Sequence, residues 1–474
     1  MVFSSIVFLL FFLPLFLSAY YLVGKKFKNI VILIGSIFFY SWGAPKFIFV
    51  ILLTTLIDFY IVKYMSLTEE RLKRKIMLTI SVSINLGLLF YFKYSNFFIG
   101  NVNFCLSILG IKEIYWTKLV LPIGISFYTF ETLTYVVDVY SRVHKPLNNF
   151  WDYQLYIILF PKLIAGPIIR YHEISDQIVD RSHNENTENK LTGFYRFIIG
   201  LSKKILIANV LGYQADKIFG SNYYDIDTFS AWIGILAYTF QIFFDFSGYS
   251  DMAIGLGKMI GFKFPENFNN PYVSQNITEF WKRWHISLGN WMRNYLYIPL
   301  GGNRVNSKYR LYFNLWFVFL ASGLWHGASW TFIIWGAYHG LFMILERSFL
   351  IKLMSKSGKL FRIILTFLVV VIGWVFFRID NLSNAFLFLK RMFTFTYNPT
   401  IHYDIQFYTI FIIATFFSFF TLPEKGRLIH EKIYYNIYPL KRHLLMTSIS
   451  ILLFIISISS ITSFGFNPFI YFRF

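Results

Sequence analysis

Apolar runs about twenty residues long recur along this chain, and that is the length an α-helix needs to cross a hydrocarbon layer of about 30 Å. The first runs uncharged from Val2 to Val23. It has no basic leading region and no small-residue cleavage site, so it reads as a retained span rather than a signal peptide. Two more precede the basic loop Arg71–Lys75, with a break at Trp42-Gly43-Ala44-Pro45. Others lie near residues 76–98, 119–137, 153–169, 194–212, 229–246, 311–335, 361–377, 405–421 and 444–464. Backbone amides in hydrocarbon must be satisfied within their own segment, so these runs predict helices. The chain therefore reads as an all-α polytopic membrane protein, one integrated bundle of roughly ten to twelve spans with re-entrant segments at its Pro/Gly breaks. Residues 172–190 are polar and read as a loop.

The net charge of +20 follows from Lys and Arg gathering in cytoplasmic loops beside anionic lipid, without a nucleic-acid partner. Lys25, Lys26 and Lys28 place the first loop inside and the N-terminus outside. Lys441 and Arg442 precede the last run and place the C-terminus outside as well, so full crossings are expected in even number. Cys105 is the single cysteine, which excludes an intramolecular disulfide and a cysteine-based metal cluster. No phosphate-loop or dinucleotide fingerprint occurs, and no Ser-His-Asp set is evident.

Chemistry concentrates between Asn276 and Gly340. No Asp or Glu lies between Glu279 and Glu346, whereas Lys282, Arg283, Arg293, Arg304, Lys308, Arg310 and the histidines 285, 326 and 339 do. An acid-free basic stretch in a membrane protein suits an anionic ligand. Its first half predicts one amphipathic helix, capped by Asn276 with Glu279 three residues on, and closed by Pro299 and Gly301-Gly302. Lys282, Arg283, Asn290, Arg293 and Asn294 share one face; Trp281, Trp284, His285, Leu288 and Trp291 share the other. Such a helix suits the cytoplasmic interface. His285 is then either a core histidine bonded to a carbonyl or a functional one.

The second half, Leu311 to Trp335, is long enough to span, with His326 near its middle. An ionisable group at that depth is costly and reads as functional. A neutral imidazole there can take the proton of a hydroxyl attacking an acyl group. Gly323 and Gly327 form a small-xxx-small pair, and Gly336 and Gly340 repeat it around His339. His339 is either functional or an inter-helix hydrogen-bonding group. Glu131, Asp138, Asp245 and Asp251 are available to pair with Arg283 or Arg293 or to orient a histidine; no metal-ligand spacing joins them.

Long motifs carry a family resemblance. FDFSGYSDMAIGLGKMIGFKFPENFNNPY (244–272), FWKRWHISLGNWMRNYLYIPLGGNR (280–304) and GLWHGASWTFIIWGAYHG (323–340) resemble the membrane-bound O-acyltransferases. LPIGISFYTFETLTYVVDVY (121–140) and FPKLIAGPIIRY (160–171) resemble the bacterial branch that O-acetylates alginate and peptidoglycan. The resemblance implies one membrane domain over residues 1–474, a hollow bundle with its catalytic core at about 119–345 and a C-terminal span and aromatic tail at 444–474. It implies that His326 is the catalytic histidine and His285 the second functional residue. It further implies acetyl-CoA as donor with no metal, an inner-membrane location, an extracytoplasmic SGNH or esterase-like transferase as partner and a polysaccharide as acceptor. Lys282, Arg283 and Arg293 are the candidates to hold the phosphates of CoA.

The tail Phe469-Ile-Tyr471-Phe-Arg-Phe474 resembles a terminal aromatic motif whose tyrosine holds the acyl group. Ten residues beyond Phe464 reach roughly 33 Å at most, enough to turn back into the membrane. The same tail also reads as an aromatic interfacial anchor. Two rival functions stand beside acyl transfer: a glycan exporter or flippase, whose path buried charges would line, and a scaffold that recruits extracytoplasmic enzymes. D-alanyl transfer is a variant of the first reading.

Overall fold

A computed structural model describes residues 1–396, 401–435 and 438–468, and among these every regular element is helical. In chain order the principal helices are α1 (Phe8–Leu22), α2 (Lys28–Gly43), α3 (Phe47–Leu67), α4 (Arg71–Ile108), α5 (Ile125–Tyr140), α6 (Phe150–Ile158), α7 (Tyr171–Val179) and α8 (Thr187–Ser202). They continue with α9 (Asn209–Phe219), α10 (Thr228–Met259), α11 (Ile277–Arg283), α12 (Ile286–Met292), α13 (Lys308–His326) and α14 (Trp330–Leu345). The last are α15 (Lys359–Arg378), α16 (Leu382–Met392), α17 (Ile405–Phe419), α18 (Glu424–Tyr434) and α19 (Leu440–Phe464).

Five of the described helices are long and apolar enough to cross a membrane, or six if α17 and α18, bent by 90°, form one broken span. Apolar runs outnumber such helices because several are cut short. The run near 119–137 yields a helix of 16 residues, and the run near 153–169 one of 9. The polar stretch 172–190 is not a plain loop: α7 and the first turn of α8 occupy it.

The described residues divide into two compact units. The first comprises Met1–Lys190 with Leu256–Pro265. Its core contains a phenylalanine cluster in which Phe8, Phe12, Phe16 and Phe39 surround Phe160 with ring centroids 5.0–6.4 Å away. Two of its buried carboxylates, Glu131 and Asp58, are held by close polar partners. Lys162 and Glu131 form an ion pair at 0% exposure, and Asp58 accepts from Ser81 and Asn85. Lys28 and Tyr20 both donate to Glu185, in the polar segment before α8. Burial alone would raise the Glu185 carboxyl, but these two bonds and nearby Arg181 bring it below the usual carboxylate range.

The second unit, Leu191–Gly255 with Glu266–Phe474, holds the basic, histidine-rich stretch. Here α13 and α14 form a close pair. A Cβ on Gly323 would lie 2.3 Å from the Phe332 carbonyl, and one on Gly336 would lie 2.4 Å from that of Phe319. Gly323 therefore meets Gly336 across the pair, and Gly340 faces Trp316 and Phe319 of α13. Gly327 lies past the end of α13, in extended backbone.

Gly323→Ala and Gly336→Ala are each expected to destabilise the protein by roughly 1–3 kcal/mol, because the clash is with backbone rather than a movable side chain. The thermal unfolding midpoint in detergent measures this. Gly87→Ala, where a Cβ meets nothing within 4 Å, serves as the control and leaves the midpoint unchanged or higher.

Candidate active site

The helix expected from Asn276 onward begins as anticipated. Asn276 Oδ1 accepts from the Glu279 amide at 2.7 Å. The Glu279 carboxylate, rather than returning to Asn276, accepts from the Gln275 amide at 2.9 Å. Buried Glu346 completes the start of α11: it accepts from the Ile277 and Thr278 amides and, at 2.7 Å, from the Thr278 hydroxyl. This carboxylate satisfies helix-start donors that otherwise have no partner in the helix.

The single amphipathic helix then fails at His285. Trp284 is extended and His285 adopts φ 46°, ψ 54°, the left-handed region that a branched or ring-bearing residue enters at a cost of about 1–2 kcal/mol. The cause is tertiary. Phe268 and Trp284 form an antiparallel bridge, flanked by Asn269 N–H donating to Arg283 O and Ile286 N–H donating to Asn267 O, each at 2.9 Å. The strand-like segment 267–269 thus takes the hydrogen bonds a continuous helix would have made, and the chain restarts as α12.

This break aims the His285 ring into protein. It is 2% exposed, packs edge-on against Phe246 with centroids 4.7 Å apart, and bonds through Nδ1 to Asn267 Oδ1 at 3.0 Å. Its Nε2 has no hydrogen-bond partner among the described residues. The bland reading, a histidine bonded to a main-chain carbonyl, does not hold: the partner is a side-chain amide.

His326 is not at mid-span. It is the last residue of α13, and Ser329 caps α14 three residues later. The apolar run that read as one span is two helices joined at Gly327-Ala-Ser329. His326 is 6% exposed and ringed by Trp325, Trp335 and Phe377, with centroids 4.9, 5.2 and 5.1 Å away. Trp325 lies between the two histidines, 6.1 Å from the His285 ring. His285 and His326 are thus brought together, each at a helix end. His339 is enclosed by Trp281, Trp335 and Tyr338, and neither ring nitrogen bonds among the described residues. A Cβ on Gly373 would lie 2.6 Å from its Nε2, so α15 closes over that ring. The inter-helix hydrogen bond considered for it is not formed.

A cleft of about 500 Å³ opens beside this site, lined by Asn270, Arg283, Lys359, Arg427, His430 and Tyr435 among others. Asn270, His430 and Tyr435 also line a smaller chamber of about 30 Å³, which reaches Ser250 and Asn267. That is room for a water molecule or two. The cleft thus leads to the amide that holds His285. Arg283 lines it but is paired with Glu279 at 2.8 Å; Lys282 and Arg293 are exposed and do not line it.

The membrane-depth carboxylates find other partners than Arg283 and Arg293. Asp251 pairs with Arg196 at 2.8 Å and Lys203 at 2.6 Å, Asp245 pairs with Lys204 at 2.7 Å, and Asp138 with His172 at 2.8 Å. Lys204 also donates to the Pro468 carbonyl, and Asn209 bonds Asn467 at 3.3 Å. Tyr471 itself lies outside the described residues. Sequence reasoning passed over Asn267, Lys204 and Glu346. The signal for Asn267 was its place in ENFNNPY between two acid-poor stretches; Lys204 and Glu346 offered no local pattern.

His285→Gly is expected to be more stable than His285→Ala by about 1 kcal/mol, since both lose the ring and only alanine retains the left-handed penalty. Paired chemical or thermal denaturation measures the difference.

Comparison with known proteins agrees with the motifs. The model of the membrane-bound O-acyltransferase family matches residues 31–389. A probable alginate O-acetylase AlgI of Pseudomonas aeruginosa is 45% identical over 396 residues, 83% of this chain and 75% of that protein. A probable alginate O-acetylase AlgI of Pseudomonas putida is 39% identical over 498 residues, 100% of both chains. The peptidoglycan O-acetyltransferase of Helicobacter pylori is 35% identical over 425 residues, 83% of this chain and 80% of that protein. With its motifs, helical architecture and paired buried histidines, this chain belongs to the membrane-bound O-acyltransferase family.

Proposed function

We propose that this enzyme transfers an acetyl group from cytoplasmic acetyl-CoA across the inner membrane for O-acetylation of an extracytoplasmic polysaccharide. The observation that carries this reading is the pair of buried imidazoles, His285 and His326, set at helix ends on either side of Trp325. The similarity to alginate and peptidoglycan O-acetylating proteins supports a glycan acceptor. The donor enters through the cleft that Arg283 lines, where a guanidinium can take a phosphate once it exchanges partners with Glu279. Lys282 and Arg293, exposed and outside the cleft lining, add only general positive charge for the anionic nucleotide.

His326 promotes attack of a hydroxyl on the thioester carbonyl by accepting its proton; the C–S bond breaks and CoA leaves as the thiol. That hydroxyl belongs to Tyr471. Supporting this is the anchoring of the segment just before it: the Pro468 carbonyl on Lys204, Asn467 on Asn209, and Phe466 edge-on to Tyr213 at 5.5 Å. Lys204 and Asp245 are almost wholly buried, and charges of that kind are costly to place unless well partnered. A phenol with a pKa of about 10 leaves more readily than an aliphatic alkoxide, so a tyrosyl ester stays activated for onward transfer. An extracytoplasmic SGNH or esterase-like protein then takes the acetyl to the glycan. Both termini face outside in this scheme.

Release of CoA from acetyl-CoA by the purified protein is expected to fall at least about a hundredfold in His326→Ala, the scale typical of losing a general base. Equal rates would reject the reading. Tyr471→Phe is expected to abolish polysaccharide acetylation in cells; unchanged acetylation would point to direct transfer. Arg283→Ala is expected to raise the KM for acetyl-CoA severalfold with kcat little changed.

A further inference from the structure

We propose that Asn267 is a positioning residue that locks His285 as the tautomer protonated at Nδ1, so that Nε2 acts as a hydrogen-bond acceptor. This rests on the reading that His285 belongs to the acyl-transfer site, and it specifies what that imidazole can and cannot do there.

Which atom of the Asn267 amide faces the ring decides the tautomer. Oxygen and nitrogen of an amide are assigned from their neighbours, not from shape. Here the neighbours decide. The backbone N–H of Ser287, which can only donate, points at the same amide atom from 3.3 Å, and the Ser287 hydroxyl lies 2.9 Å from it. That atom is therefore the oxygen. The amide nitrogen turns the other way and donates to Ser250 Oγ at 3.0 Å. An oxygen 3.0 Å from His285 Nδ1 can only accept, so Nδ1 carries the hydrogen.

Three features hold the amide in this orientation. The Asn267 side chain is 1% exposed. Its own carbonyl accepts from the Ile286 amide at 2.9 Å, fixing its backbone beside the ring. The left-handed conformation of His285 brings Nδ1 to it, while Phe246 covers one edge. Flipping the amide would set its NH₂ group against the Ser287 N–H, donor against donor, which is what excludes the other orientation. In neutral imidazole the nitrogen without hydrogen is an acceptor. His285 Nε2 can then take a hydroxyl or thiol hydrogen, and it cannot donate to an oxyanion unless protonated first. His285 is thus assigned the base side of the chemistry and not the oxyanion-stabilising side.

The test is ¹⁵N NMR on histidine-labelled protein in nanodiscs, with His285→Gln used to assign the signal, alongside kinetics. In the wild type the His285 signals are expected to show protonated Nδ1 and bare Nε2. Asn267→Ala is expected to shift the population towards the other tautomer and to lower kcat by roughly tenfold or more, as loss of tautomer control does elsewhere, with the KM for acetyl-CoA nearly unchanged. Asn267→Asp keeps an acceptor against Nδ1 and is expected to restore both the tautomer and most of kcat. Should Asn267→Ala fold poorly, Ser250→Ala removes only the brace on the amide nitrogen and is expected to give a smaller shift in the same direction. A bare Nδ1 in the wild type, or Asp and Ala variants equally impaired with the tautomer unmoved, would overturn the proposal. Activity that survives His326→Ala would instead sink the acyl-transfer reading and leave the tautomer result standing.

Discussion

The pairing of residues 267–269 with 283–286 is the interaction on which the site depends. Two backbone hydrogen bonds around the Phe268–Trp284 bridge compete with the helix that the sequence from Asn276 onward would otherwise continue. Where backbone must be satisfied locally, a helix stops only if something else takes its hydrogen bonds. Here a short extended segment does so, and the residue at the break is turned into the protein instead of along the amphipathic face. A left-handed histidine held against its preference is the kind of local cost that persists where the surroundings over-determine it.

Around that break the second unit spends its polar groups on position. Glu346 ties the start of α11 to the end of α14, and Asn267 ties the ring of His285 to α10 through Ser250. Arg196 and Lys203 hold Asp251 beside the chamber that leads to Asn267. Lys204 links Asp245 to the backbone of the C-terminal segment. Each charged group is matched, as burial demands, and each match joins segments far apart in the chain. His326 is set differently, by aromatic rings from α13, α14 and α15.

Much of this was legible in the sequence, and the rest for physical reasons was not. Apolar length gave helices, the Asn276 cap was correct, and three long motifs located both histidines. Hydropathy merged α13 and α14 into one span because it ignores caps; Ser329 before Trp330 was the visible sign of a restart. The break at His285 carries no helix-stop residue, since a bridge to Phe268 imposes it. Carboxylate partners were mis-assigned to Arg283 and Arg293 because the true partners, Arg196, Lys203 and Lys204, come from another helix, and only the fold brings them to α10. Gly323 admits a neighbouring backbone as its spacing suggested, but Gly327 takes no part in that helix face because α13 ends one residue before it.

We propose that the His326 imidazole, at the end of α13, drives an acetyl group from CoA onto Tyr471 of the same chain. Mass spectrometry of the C-terminal peptide, after purified protein is quenched seconds into reaction with acetyl-CoA, measures this most directly. A single acetyl on Tyr471 is expected in the wild type and none when His326 is alanine. An unmodified peptide during active turnover, or equal labelling in the His326→Ala protein, would contradict it.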